Sequence, residues 1–322
     1  MAESNEPQAK ATASVSSSGN PTSSLSRVSK CPETLEEGKR SFSDDAGFAR
    51  VQPMIEDWHQ PWLNGVELLE DSNHNKHFLP TGYEGIDVLL GGGLCEGQLT
   101  EMVGPSSSGK TQVCLYSAAL VADKHFGVVM FVDTCNSFSP KRIACIVDQL
   151  SSSFSGEAKE RRLKRVMSNI FCHSVFDIFA LLDVLHQLEF KLKQQVKSGD
   201  TKICLLIIDS ISSLLTPVLG GKGSEGRLLM VSAGIILKKL ANEYNISVLV
   251  TNHMVGGEGG ILKPALGESW KSIPHVRLQL TRDQGSNICN VSILKHTFMA
   301  TGRTAKFVIH SRSCSVQDGR GR

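Results

Sequence analysis

Gly104, Pro105, Ser106, Ser107, Ser108, Gly109, Lys110 and Thr111 fit the spacing GxxxxGK[ST] and follow the strand-like run Gln98 to Val103. Residues of these types at this spacing cradle phosphates. The glycines permit a tight backbone path, the loop N–H groups and the start of the next helix point at anionic oxygens, and the lysine reaches the β and γ groups. Lys110 is therefore expected to face solvent as a phosphate ligand, and Thr111 to hold Mg²⁺ through its hydroxyl. Such a site needs an acid at the end of a second buried strand. Asp209, which closes the apolar run Ile203 to Ile208, supplies it. A carboxylate there lies where open α/β sheets bind ligands, so Asp209 is the second expected metal residue. The competing reading of Asp209 is a cap on the next helix.

The elements that must position these residues alternate regularly. The pattern predicts a phosphate-loop helix from Gly109 to Ala122, a strand at Gly127 to Asp133, a helix from Pro140 to about Leu150 and a strand near Ile170 to His173. A long helix from Val175 to about Gln195 carries Phe176, Phe179, Leu182 and Leu185 at helical spacing, read as a core stripe. The Asp209 strand, a helix from about Arg227 to Tyr244 and a strand at Ile246 to Asn252 follow. Three β-like runs, Val276 to Thr281, Ile288 to Lys295 and Thr304 to His310, are read as an antiparallel extension of the sheet.

With 322 residues, 40% hydrophobic and 20% charged, the chain can bury one substantial core, and its net charge of +2 selects no partner class. Nine cysteines show no CxxC pair, which argues against a zinc site or disulfide framework and for a reducing compartment. No apolar run of membrane-spanning length or apolar leader is expected. Residues 1–50, rich in Ser, Thr, Asn, Pro and Ala, are expected to be disordered. Residues 51–77, with Met54, Ile55, Trp58, Trp62, Leu63, Val66, Leu68 and Leu69, read as a linker that packs on the core or docks a partner. The core is expected over 78–311, with a basic tail over 312–322.

Leu79 to Leu94 and Gly97 to Gln112, with Ile207-Ile-Asp-Ser210 and Val248 to Asn252, resemble the core ATPase of RecA-type recombinases in their eukaryotic and archaeal form. The similarity spans about residues 78 to 311. Phe176 to Leu185, Val218-Leu-Gly-Gly and Lys263 to Trp270 further resemble a paralogue subfamily that acts in homologous recombination and DNA repair. The resemblance implies a three-layer α/β core with a mostly parallel sheet, ATP and Mg²⁺ as ligands, partner recombinase paralogues and a nuclear location. Arg142 falls where the family places a residue against the adenine, a cation–π contact, the other reading being a solvated arginine.

The departures from the family pattern shape the expected chemistry. Where polymerising members read Asp-Thr-Glu-Gly and the Glu positions the attacking water, this chain reads Asp133-Thr134-Cys135-Asn136. Loss of that carboxylate should leave nucleotide binding intact and hydrolysis slow. Cys135 as a nucleophile has no base beside it in sequence. Lys295-His296-Thr297 stands where filament-forming members carry an acidic cap, which implies a different neighbour. Family members also have a small helical N-terminal domain where this sequence has a low-complexity stretch.

Two Gly-rich segments, Thr216 to Arg227 and His253 to Ser269, are the candidate contacts to single-stranded DNA, with Lys222, Arg227 and Lys263 as cations and Trp270 the only adjoining aromatic. Arg161-Arg162-Leu-Lys164-Arg165 reads as a solvated helix face or a nuclear-import patch. The expected function is an ATP-binding, DNA-associated repair subunit with slow hydrolysis. The rivals are an active DNA-dependent ATPase or strand-exchange recombinase and, lacking an acceptor lid, a small-molecule kinase.

Overall fold

The computed structural model describes residues 64–309, except 76, 125–126, 152–155, 199–201, 221–223, 258–259 and 261. Residues 1–50, residues 51–63 of the linker and the basic tail therefore lie outside the described residues, as does Lys222. In chain order the elements are α1 (Gly65–Asn75), β1 (Phe78–Leu79), α2 (Glu84–Leu89), β2 (Leu94–Cys95), β3 (Leu99–Gly104), α3 (Lys110–Asp123), β4 (Val128–Asp133), α4 (Pro140–Leu150), α5 (Gly156–Ser168) and β5 (Ile170–Ser174). Then follow α6 (Ile178–Ser198), β6 (Ile203–Asp209), α7 (Ile211–Leu219), α8 (Glu225–Tyr244), β7 (Ser247–Gly256), β8 (Leu262–Pro264), α9 (Gly267–Lys271), β9 (Val276–Arg282), β10 (Ile288–Lys295) and β11 (Thr304–Val308). On α1, Val66, Leu68 and Leu69 are exposed.

The main sheet has the order β11-β10-β9-β3-β7-β6-β4-β5, with β8 attached to β7. Its six strands from β9 to β5 are parallel. The inner strands β3 and β6 are buried along their whole length, as parallel strands covered on both faces are. In β6, Leu205 and Ile207 enter one core with α3 and α4, whereas Leu206 and Ile208 enter the other with α6 and α8. The period-two alternation thus builds three layers, as the family resemblance implies.

Three sequence expectations are corrected. β9 pairs parallel with β3, so the antiparallel extension comprises β10 and β11, and Val276 to Thr281 belongs to the parallel sheet. The core stripe of α6 is Ile178, Leu181, Leu185, Leu188 and Leu192, while Phe176 and Phe179 are 69% and 61% exposed. Asp177 sets this phase: its carboxylate accepts the Ala180 N–H at 2.8 Å, caps the helix and leaves Phe176 outside it. Finally, Thr216 to Leu219 is the last turn of α7 rather than loop.

Candidate nucleotide-binding site

The site lies at the C-terminal edge of the parallel strands, where the chain crosses from β3 past β7 and β6 to reach β4. Strand register brings Gly104 beside His253, and Asp133 beside Asp209. Between β3 and α3 the loop makes a close turn that glycine alone permits at its two ends. A Cβ on Gly104 would come within 2.4 Å of the Leu280 carbonyl oxygen, and Gly109 has φ 101°. Ser107 also takes a positive φ, 63°, which keeps the loop coiled around its own N–H groups.

Lys110 differs from expectation. It is 6% exposed, not solvent-facing, because its ammonium turns back into the loop and donates to Gly104 O at 2.7 Å, Pro105 O at 2.9 Å and Ser108 Oγ at 3.4 Å. Burial lowers its pKa, and the nearby charge of Asp209 opposes that shift. Among the described residues no carboxylate forms a salt bridge with Lys110. A buried cation satisfied only by neutral oxygens is a group that an anion would stabilise.

Asp209, buried at the end of β6, accepts from Thr251 Oγ1 at 2.5 Å and Ser137 Oγ at 3.3 Å. One buried carboxylate with hydroxyls around it suits Mg²⁺, which keeps most of its own water and takes few protein ligands. Asp133 does a different job: its oxygens accept the N–H groups of Cys135, Ser137 and Phe138 at 3.2, 2.9 and 2.9 Å and fold the turn after β4. Thr134 locks that turn to the next strand, donating to Ser210 O or Ser213 Oγ and accepting the Ser210 N–H at 2.7 Å. Cys135 is left exposed at the tip, its sulfur 3.4 Å from Thr134 Oγ1. Arg142, on the first turn of α4, donates through Nε to Gln112 Oε1 of α3 at 2.9 Å.

The sequence reading missed His253. Its Nε2 lies 3.2 Å from Ser210 Oγ, its backbone N–H donates to Ser212 Oγ at 2.9 Å, and its Nδ1 is buried with no hydrogen-bond partner among the described residues. Burial, then the charge of Lys110, lowers its pKa, with Asp209 opposing, so the ring is held neutral beside the loop lysine.

A second buried polar cluster sits one turn of strand below. Glu101, fully buried in β3, accepts from Arg277 Nε, from Asn252 Nδ2 at 2.7 Å and from Trp270 Nε1 at 2.9 Å. This overturns Trp270 as an aromatic for base stacking, since its ring is 0% exposed and its N–H is engaged. The available signal was the lone acid inside the apolar run of β3, because buried charges require partners. Of the remaining candidates, Arg227 is exposed in the first turn of α8 and Lys263 is exposed on β8. Lys295 is spoken for within the chain: its ammonium donates to Ser272 O at 3.0 Å and Pro274 O at 2.6 Å, capping the turn after α9.

A strand, a glycine-bounded loop, a helix whose first residue is a buried lysine, and an acid two strands away define a RecA-type α/β core. The Rad51 family model matches residues 75–313, and the chain belongs to the Rad51 family. It is similar to "DNA repair protein RAD51 homolog 4" of Bos taurus, 38% identical over 225 residues that cover 70% of this chain and 67% of the bovine protein. The Mus musculus protein of the same name is 35% identical over the same shares. "Probable DNA repair protein RAD51 homolog 4" of Dictyostelium discoideum is 27% identical over 68% of this chain and 70% of that protein. The paralogue resemblance drawn from the sequence is thereby borne out.

Proposed function

We propose that this chain is an ATP-binding, DNA-associated subunit of a homologous-recombination repair complex, in which ATP with Mg²⁺ serves mainly to hold an assembly together. The observation that carries the reading is the buried Lys110 ammonium, wrapped in the loop of Gly104 to Thr111 and facing Asp209 without a carboxylate partner. The loop N–H groups and Lys110 would hold the phosphates, Thr111 and Asp209 would hold the hydrated metal, and Arg142 would contact the base. Bound Mg²⁺ would neutralise phosphate charge. His253, whose ring touches Ser210 and whose backbone opens the Gly-rich segment, links the phosphate end to that segment.

Cys135 sits exposed where the family resemblance implies a water-orienting carboxylate in active members, and the side chain here supplies no carboxylate to do so. Slow turnover follows, and ATP that stays bound favours the assembled state in proportion to its occupancy. Single-stranded DNA is engaged through the segments after β6 and β7 with Lys222, Arg227 and Lys263, in partnership with other recombinase paralogues in the nucleus. The relatives' names, which assign them to DNA repair, support this. The test is steady-state ATP turnover with and without single-stranded DNA. Wild type should bind ATP yet hydrolyse it slowly, and Cys135→Glu should raise turnover about tenfold or more, within the range one positioned group supplies. Fast wild-type hydrolysis that Cys135→Ala leaves unchanged would replace this reading with that of an active DNA-dependent ATPase.

A further inference from the structure

At the other end of α3 lies a cleft of about 710 Å³, walled by the end of α3, the end of α4 and one face of α5. α3 has 14 residues, so the cleft is about 21 Å from the phosphate loop at the rise of an α-helix. Four cations line it, Lys124, Arg161, Arg162 and Arg165, against one carboxylate, Asp123, for a net charge of 4 − 1 = +3. Asp123 is buried and bidentate to Arg162, and Arg165 Nη2 donates to it at 3.1 Å. Arg162 Nη1 also donates to Leu150 O at 2.8 Å. The hydrogen bonds from Arg162 hold the Asp123 carboxyl below the usual range, so it stays charged.

The carboxylate acts as a clamp. It fixes two guanidiniums whose side-chain entropy is already lost before any ligand arrives, which is the condition for an incoming anion to gain most from them. On α5, Arg161 is exposed, and among the described residues no hydrogen bond or ion pair engages its guanidinium. Leu150 and Ala158 give the cleft an apolar wall.

We propose that this cleft receives an acidic peptide segment of a protein partner, its carboxylates on Arg161, Arg165 and Lys124 and an apolar side chain against Leu150 and Ala158. A nucleic-acid backbone fits less well, because it offers charge without an apolar group for Leu150 and Ala158. The site is independent of the ATP and DNA reading, so the peptide arms of its assay contain neither.

The experiment is fluorescence anisotropy of the full chain with a labelled peptide of Glu-Glu-Leu repeats. A Gln-Gln-Leu peptide serves as the neutral control, and a labelled DNA duplex as the nucleic-acid arm. Saturable binding of the acidic peptide alone is expected. Arg161→Glu should weaken it by about tenfold or more, whereas Lys306→Glu, the same charge change on exposed β11, should leave it unchanged. Circular dichroism confirms that both variants fold. Three results would overturn the proposal: no saturable peptide binding, an equal loss in both charge variants, or a duplex that binds as tightly and loses as much with Arg161→Glu.

Discussion

Two buried charged clusters share β3, and they are built on opposite principles. Around Glu101 a full carboxylate meets a full guanidinium and two further N–H donors, all supplied by the chain itself. Around Lys110, past the end of β3 at the start of α3, the cation has only carbonyl and hydroxyl oxygens, and the neighbouring His253 Nδ1 has no partner among the described residues. Buried polar groups are ordinarily satisfied, and two of the three buried side-chain atoms without a partner among the described residues, Asn252 Oδ1 and His253 Nδ1, are neighbours on β7 beside Val103 and Gly104, a shortfall that marks where a ligand completes the structure. The first cluster holds the fold; the second is prepared for something else.

The contrast breaks most sharply at Arg277. Replacing it with Leu leaves Glu101 buried and charged, and urea unfolding should show a loss of about 3–5 kcal/mol. A loss below about 1 kcal/mol would mean that the cluster is not a staple. Lys110→Ala should do the reverse. Calorimetry should find ATP affinity reduced at least about a hundredfold, roughly 2.7 kcal/mol. The unfolding midpoint should hold or rise, because a desolvated ammonium has been removed.

A finer probe is Trp270→Phe, which keeps most of the ring volume and removes the N–H bonded to Glu101 Oε1. Its cost should be about 1–2 kcal/mol in stability, with ATP affinity unchanged. Equal losses in both quantities would show that the two clusters act as one.

The smallest effect is one of pH. His275 Nδ1 accepts the Leu99 N–H at 2.9 Å at the start of β3, so the ring must be neutral there; burial, then the charges of Lys238 and Lys295, lower its pKa. The unfolded ring titrates near 6.5, which the folded ring does not reach until lower pH. Stability from the neutral ring is therefore complete above about pH 6.5 and is lost as pH falls from there toward the folded value, at no more than about 1.4 kcal/mol per pH unit. His275→Asn should flatten that part of a stability-against-pH curve, and an unchanged slope would remove His275 as its source.

The legible parts of the molecule were local. The loop Gly104 to Thr111 and the acid Asp209 at the end of an apolar run are written in consecutive residues, and the strands and helices around them follow from period alone. What escaped was set by distant partners. No neighbour in sequence says that Glu101 meets Arg277, 176 positions away, or that β9 runs parallel rather than antiparallel. Phe176 and Phe179 misled because their stretch contains two overlapping apolar stripes, and the cap at Asp177 decides between them. Nor does any residue beside Lys295 in sequence say that three carbonyls of the turn after α9 meet its ammonium.

The placement of β3 also matters before the protein exists as a folded whole. It lies between β7 and β9, whose residues Asn252 and Arg277 reach Glu101 across 151 and 176 positions. At about 5–20 residues per second, a ribosome delivers Arg277 roughly 9 to 35 seconds after Glu101. Until β7 is made the strand at the centre of the sheet has neither flank, and until Arg277 follows Glu101 is an acid whose ion-pair partner does not yet exist. The nascent chain thus passes through a period when an internal strand of the finished sheet is still unpaired on both sides.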